Sequence, residues 1–452
     1  MNDLTWHKVP FTGTRARTGP ATWGQRQVWR DIRQMPGGTP YNVACPLAVA
    51  DGIGLDDVLE LTAGLVGRHE SLRTVFTDEG GGLVQRVLAS GEVLVGVLDD
   101  PEADHEQVDA LAARLRGADF DHAADAPFRA AVAARDGVPY AVVVCVTHLA
   151  ADLLSTRLLA AELERMLRCR AEGAPLPEPA PAAQPLDVAA AEQSASGRRM
   201  ESAALAHVRS TLSAFPRANF PRPAGPAQTP RYRQGGLGSY RAAAALDTLA
   251  GRYRVGSSTV ALAAAAALLG AVTGRDEVGL LLVTGNRIPA ELRHAVGTLT
   301  QDVPALIEVT GPAFSDVIRA TWKSSVRAYR HGRFDPDKAW DIIDDIGEEK
   351  GGHPELRCFF NDFRTNSTPA IVPDARVASE FRWADGTDED GITFFLEVGD
   401  TPGHPGAVLL SLCADTAYMP PDAIERYLWR FERLLVDQLS RDVQVARLGE
   451  YV

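Results

Sequence analysis

Apolar and polar positions along this chain switch repeatedly between a helical period and short strand-like runs. Trp23 to Ile32 suits a helix, Asp57 to Val66 repeats its apolar residues with a helical period, and Gln107 to Arg116 reads as a third helix. Between them, Leu83 to Val97 is rich in Val and Leu with glycine punctuation, which suits strands and a turn. Ala130 to Ala134 and Tyr140 to Val146 form a strand pair around the turn signal Arg135-Asp136-Gly137. The second member, YAVVVCV, is apolar without alternation, the pattern of a central strand buried on both faces. A helical pattern follows from Thr156 to Arg170.

Ala171 to Gln184 then breaks the pattern, because its Pro/Ala-rich composition supports neither helix nor sheet. A second Pro/Gly-rich stretch, Pro216 to Gly238, interrupts regular structure again. Beyond it the alternation resumes. Leu246 to Tyr253, Thr259 to Val272 and Phe314 to Tyr329 read as helices, while Glu277 to Val283, Glu380 to Arg382, Thr393 to Val398 and Val408 to Cys413 read as strands. Asp422 to Leu439 closes the pattern as an amphipathic helix, with Ile424, Tyr427, Leu428, Phe431, Leu434 and Leu435 on one face. The longest apolar run, Val260 to Val272, has thirteen residues. A membrane-spanning helix needs ~20, so this run is expected to be a core helix. The predicted architecture is α/β, with one lobe over 1–175, a linker and crossover over 176–238, and a second lobe over 239–452.

Composition narrows the function. A length of 452 residues, 45% hydrophobic and 23% charged, is ample for two or three cored domains. Lys plus Arg number 46 against 59 Asp plus Glu, a formal net charge of −13. That surplus repels phosphate backbones and anionic lipid, and argues against nucleic-acid and membrane partners. Five scattered Cys with no CxxC spacing indicate neither a disulfide framework nor a zinc site. The first twenty residues lack the apolar core of a secretory signal, so a cytoplasmic protein is expected. There is no P-loop, GxGxxG, GxSxG or HExxH. Nothing supports a metal, a nucleotide or a serine nucleophile.

Two constellations remain. At the end of the buried strand the chain reads Thr147-His148-Leu149-Ala150-Ala151-Asp152-Leu153-Leu154-Ser155. A His where a central strand leaves its sheet is held by rigid backbone at a position where α/β proteins place reactive groups. Asp152 sits in the turn before the next helix, where it either caps that helix or pairs with a cation. The bland alternative is a structural His and a capping Asp. The second constellation, Arg68 to Phe76 (RHESLRTVF), places two arginines between a helix and a strand. A buried guanidinium there requires an anion, for which Asp152 is available; the competing reading is a solvated charged turn.

RHESLRTVF resembles the RHExLRTxF motif of condensation domains from nonribosomal peptide synthetases. Thr147 to Leu153 is similar to their HHxxxDG core, keeping the second His as His148 and the Asp as Asp152, with Thr147 in place of the first His and Leu153 in place of the Gly. Further similarities follow in the family's order: Gln25 and Trp29 in the segment resembling SxAQxRMW, Gly285-Asn286-Arg287 before a weakened IGxFVN at Val296 to Gln301, His331 to Pro336, and Asn361. The resemblance implies two chloramphenicol-acetyltransferase-like lobes in a V with a central tunnel, in a free-standing member of the family. It implies no intrinsic cofactor, because carrier proteins deliver the acyl group on phosphopantetheine arms to a central His.

The implied reaction is acyl transfer from a carrier-bound thioester to a small-molecule or carrier-bound amine, less often a hydroxyl. His148 is the expected catalytic residue. Asp152, ion-paired with Arg73 or Arg68, is expected to fix its loop, and Thr147 to replace the lost imidazole as a hydrogen-bond donor. Leu153 and Ser155 are expected to border the acceptor route, with the Leu153 isobutyl group filling space that a Gly leaves open. Three alternatives remain: a catalytically silent member that recruits carrier-bound intermediates, an epimerase-like relative resembling the DxxS pattern at Asp152 and Ser155, and an acyltransferase using soluble thioesters.

Overall fold

The protein is described by a computed structural model covering residues 4–34, 41–78, 80, 82–102, 104–364, 377–389 and 391–451. Contacts divide the chain into two units, one running to Arg199 and including Gly285–Gln301, the other made of Met200–Thr284 and the chain from Asp302 onward.

The first unit contains β1 (Thr5–Thr12), β2 (Arg17–Pro20), α1 (Trp23–Gln34), β3 (Asn42–Ala48), α2 (Leu55–Arg68), β4 (Thr74–Asp78), β5 (Leu83–Val87) and β6 (Ser90–Asp99). It continues through α3 (His105–Arg116), β7 (Phe128–Arg135), β8 (Val138–Thr147), α4 (Leu153–Ala171) and α5 (Pro185–Glu192) into the start of α6 (Ala195–Ala214). Its main sheet has the strand order β1-β6-β7-β8-β3, and a smaller one the order β2-β5-β4. The β7–β8 turn uses the left-handed region at Asp136 (φ 51°) and Gly137 (φ 78°), residue types that adopt it at low cost. As its unbroken apolar run requires, β8 is buried on both faces. Val142, Val144 and Val146 pack with Leu61 and Leu65 of α2 and Leu159 and Leu163 of α4. Val143 and Cys145 pack with Leu111 and Leu115 of α3.

The second unit contains β9 (Tyr232–Ser239), α7 (Tyr240–Tyr253), α8 (Ser257–Thr273), β10 (Glu277–Thr284), β11 (Gln301–Glu308), α9 (Phe314–Arg330) and α10 (Pro336–Lys350). It ends with β12 (Cys358–Asp362), β13 (Glu380–Trp383), β14 (Phe394–Asp400), β15 (Val408–Asp415) and α11 (Pro421–Ser440). Its sheet has the order β11-β10-β12-β14-β15-β9-β13. Val260 to Gly270 of α8 is buried throughout, as expected of a helix apolar on every side. The predicted α11 face, Ile424, Tyr427, Leu428, Phe431, Leu434 and Leu435, enters the same core. Among the described residues, no single helix is long and apolar enough to cross a membrane.

The range 176–238 is not a linker throughout. Between its Pro-rich ends lie α5 and α6, helices in an alanine-rich stretch where Pro185 occupies the first turn of α5, a position that needs no N–H donor. The glycines at its end belong to β9, an interior strand. A Cβ at Gly235 would fall 2.9 Å from the Phe381 ring, so glycine there answers a close approach by β13. The first unit also reaches beyond residue 175, because Gly285–Gln301 bonds to the turn after β8. Gly235→Val is expected to destabilise the protein by ~1–3 kcal/mol through overpacking. An unchanged urea midpoint would show that the Phe381 ring yields freely.

Candidate active site

The candidate site is the turn that joins β8 to α4. Asp152 is the N-cap of α4 and accepts the Ser155 N–H at 2.9 Å, the arrangement favoured for an Asp before a helical apolar run. Four residues earlier, the His148 N–H donates to the Tyr41 carbonyl at 2.8 Å, and its carbonyl accepts from the Thr298 hydroxyl. The His148 ring lies 4.6 Å from the Tyr41 ring, tilted by 37°. Its backbone is therefore held from both sides.

The His148 ring is half-buried, and its Nδ1 is enclosed without a hydrogen-bond partner among the described residues. Burial pushes its pKa below the ordinary histidine value, opposed by its own backbone and the Asp152 charge. A neutral imidazole at physiological pH is a proton acceptor, and with Nδ1 enclosed that capacity rests on Nε2.

Asp152 is buried and held by the stretch Gly285–Gln301. Arg287 donates to both carboxylate oxygens, Nη1 to Oδ2 at 2.9 Å and Nη2 to Oδ1 at 2.8 Å. The Leu299 N–H and the Thr300 hydroxyl add bonds to Oδ2, each at 3.1 Å. Burial alone would raise the carboxyl pKa, but the Arg287 charge and these hydrogen bonds hold it below the usual carboxylate range. Arg287 also donates to Ser155 Oγ at 2.7 Å, and that hydroxyl donates to the Gly297 carbonyl at 2.8 Å. Asn286 supports the loop in the left-handed region (φ 51°), its side-chain amide donating to the Leu299 carbonyl at 3.0 Å.

The expected partners of Asp152 are thus replaced. Arg73 is fully buried, but its Nη1 donates to the carbonyls of Arg15 at 2.6 Å and Leu88 at 2.5 Å. Its guanidinium is packed so closely on Gly13 that a Cβ there would fall 2.2 Å from its central carbon. Arg68 pairs with Glu162 at 2.9 Å, as does His69. Burial opposes ionisation of Glu162, but these two partners hold its pKa down to about 2. Glu70 is buried and takes Arg15 at 2.8 Å and Arg17 at 2.6 Å. The charges of RHESLRTVF therefore brace the lobe locally.

Ser155 is enclosed in the Asp152–Arg287 network and does not border an open route. Thr147 is wholly buried, and its hydroxyl has no partner among the described residues, so it presents no donor outward. Leu153 is half-buried at the first position of α4. Arg287 was visible only as part of a motif-like Gly-Asn-Arg; no spacing rule links it to a carboxylate 135 residues earlier. Among the described residues, no three His, Cys, Asp or Glu side chains gather as a metal site.

Comparison with known proteins adds an independent line. The sequence profile of the family described as Condensation domain matches residues 16–350. Phosphinothricin tripeptide synthetase PhsB of Streptomyces viridochromogenes is 28% identical over 329 residues, 69% of this chain and 27% of that protein. The chain thus spans about a quarter of this relative's length. Among solved structures, the condensation domain of the monacolin K polyketide synthase MokA superposes with a TM-score of 0.74 at 17% identity, covering 95% of this chain and 99% of that one. SgcC5 of Streptomyces globisporus gives a TM-score of 0.72 at 17% identity, covering 94% of this chain and 99% of that one. These likenesses show the fold, the two chloramphenicol-acetyltransferase-like lobes of condensation domains.

Removing either member of the Asp152–Arg287 pair leaves the other charge buried. Asp152→Ala and Arg287→Ala are each expected to cost ~3–5 kcal/mol, and the double variant much less than their sum. Urea unfolding of the four proteins measures the coupling. Additive losses would show that the pair contributes no interaction energy of its own. Arg73→Ala should show no coupling to Asp152.

Proposed function

This chain belongs to the condensation-domain family, and from that premise we propose that it joins an acyl group, carried as a thioester on a carrier protein's phosphopantetheine arm, to an amine, with His148 as the base. Condensation domains generally act as acyltransferases that form amide bonds. The observation that carries the proposal is a half-buried imidazole at the end of a rigid strand. Its pKa is lowered by burial, and its backbone is fixed by Tyr41, Thr298 and the Asp152–Arg287 pair.

In this reaction the amine nitrogen attacks the thioester carbonyl and its proton passes to His148 Nε2. The tetrahedral species then expels the pantetheine thiolate, which takes the proton back from the imidazolium. The new C–N bond replaces the C–S bond, and no external acid, base or redox partner is required. Asp152 and Arg287 act through the backbone, as positioning residues that fix where the imidazole stands. Phosphopantetheine arrives with the substrate, so no resident cofactor enters the scheme.

The departures at Thr147 and Leu153 favour a second reading, a silent domain that binds loaded carriers without turning them over. The two readings separate in one assay. An acyl-loaded carrier is mixed with amine acceptors and followed by intact-protein mass spectrometry, with wild type compared to His148→Ala. Loss of general-base assistance is typically worth ~10²–10⁴-fold, and a loss of that size is expected in the variant with its melting temperature retained. Because burial lowers the His148 pKa, wild-type kcat/KM expressed for the unprotonated amine should rise with pH through a value below the ordinary ~6.5 and stay flat above it. An unchanged rate in the variant would remove His148 from the chemistry. Carrier binding with no turnover by wild type, across the acceptors tried, would establish the silent reading.

A further inference from the structure

The sheet of the second unit has two unlike faces. On β14, Phe394, Leu396 and Val398 enter the core under α8 and α11, whereas Phe395 and Glu397 alternate onto the opposite face and are half-buried. The register aligns this face as a grid. Asn361 of β12 stands opposite Glu397, and Glu397 opposite Ser411 of β15. In the neighbouring row, Phe359 lies opposite Phe395, and Phe395 opposite Cys413. The two phenyl rings are 5.6 Å apart. Beyond Ser411, β9 contributes Gly236, over which the Leu409 side chain packs, 3.3 Å from where a Cβ would stand. Gln234 donates its amide to Ser411 Oγ at 2.7 Å.

Glu397 is anomalous there. It sits in the fourth of the sheet's seven described strands, where β-branched or aromatic residues pack best. Among the described residues no Lys, Arg or His lies within ion-pair distance of it, in contrast to Glu70, Glu162 and Asp152. Burial raises its carboxyl pKa, and a hydrogen bond with Asn361 only partly offsets this. A half-buried carboxyl without a cation is a standing cost to the fold. Among the described residues, what the grid lacks is a positive charge.

We propose that Glu397, with the Asn361 side-chain oxygen, Ser411 Oγ and the faces of Phe359 and Phe395, forms a recognition site for a primary alkylammonium group. The group's three N–H donors match the three acceptors, and the two rings add cation–π attraction. An ammonium held by a carboxylate keeps its proton and is a poor nucleophile, so the group recognised here is one that does not react. If the acyl-transfer reading holds, on which this identification of the ligand rests, the acceptor is a diamine or a basic amino acid carrying a second, reacting amine.

The test is binding, independent of turnover. Pentylammonium and the uncharged 1-pentanol are titrated into wild type and Glu397→Gln, followed by ligand-observed NMR. Pentylammonium should bind wild type at least tenfold more tightly than pentanol, and the substitution should abolish that preference while leaving pentanol binding unchanged. Equal binding of the two probes, or a preference that survives Glu397→Gln, overturns the site. Without ligand, Glu397→Gln should melt at the wild-type temperature or above, since an isosteric amide removes an unpaired charge. A lower melting temperature would show that the carboxylate is satisfied within the protein, and would also overturn the site. A preference confirmed by binding alongside absent acyl transfer would leave the site standing and remove only the identification of its ligand as an acceptor.

Discussion

The bidentate pair between Asp152 and Arg287 is the constraint on which the candidate site depends. Asp152 caps α4, so the carboxylate that ends the His148 turn also starts the following helix. By taking Arg287, Leu299 N–H and Thr300 at once, it ties that turn to a loop from far along the chain. Charges this buried are tolerated only when every lone pair is used, and here both oxygens are engaged. The consequence is local rigidity of the backbone at His148, where the described residues give the imidazole Nδ1 no partner.

RHESLRTVF supplies a second layer of bracing with a different logic. Glu70 gathers two arginines, Glu162 gathers Arg68 and the His69 ring, and Arg73 is satisfied by carbonyls over a glycine. Its constrained residue types thus reflect electrostatic closure around the entry to β4, and none of them touches Asp152. A motif can be specific for a family and still do its work through packing.

Much of this was legible in the sequence, for identifiable reasons. The unbroken apolar run of β8, the all-apolar α8 and the one-sided face of α11 each follow from how deeply an element is buried, and the Asp136-Gly137 turn from its need for positive φ. Asp152 was readable as a cap because capping is local. Its cation was not, since a loop residue reaches it through tertiary structure alone. β9 escaped because glycines at 235, 236 and 238 look like a loop until the strands packed beside them are known. Glu397 escaped for a related reason: an acidic residue within a strand pattern reads as a solvent-facing position, and only the sheet order shows it to be central.

The stretch Gly285–Gln301 also bears on how the protein comes to be folded. A ribosome that has released the chain as far as Arg199 has made every strand of the first unit's two sheets, together with His148 and Asp152. It has not made the guanidinium that Asp152 requires. Until synthesis passes residue 301, the β8–α4 turn holds a carboxylate that must remain hydrated or protonated, so the first unit stays open at the candidate site. Such a long sequence separation is costly to close and slow to form. It makes the candidate site among the last parts of its unit to set, after the frame around it is already in place.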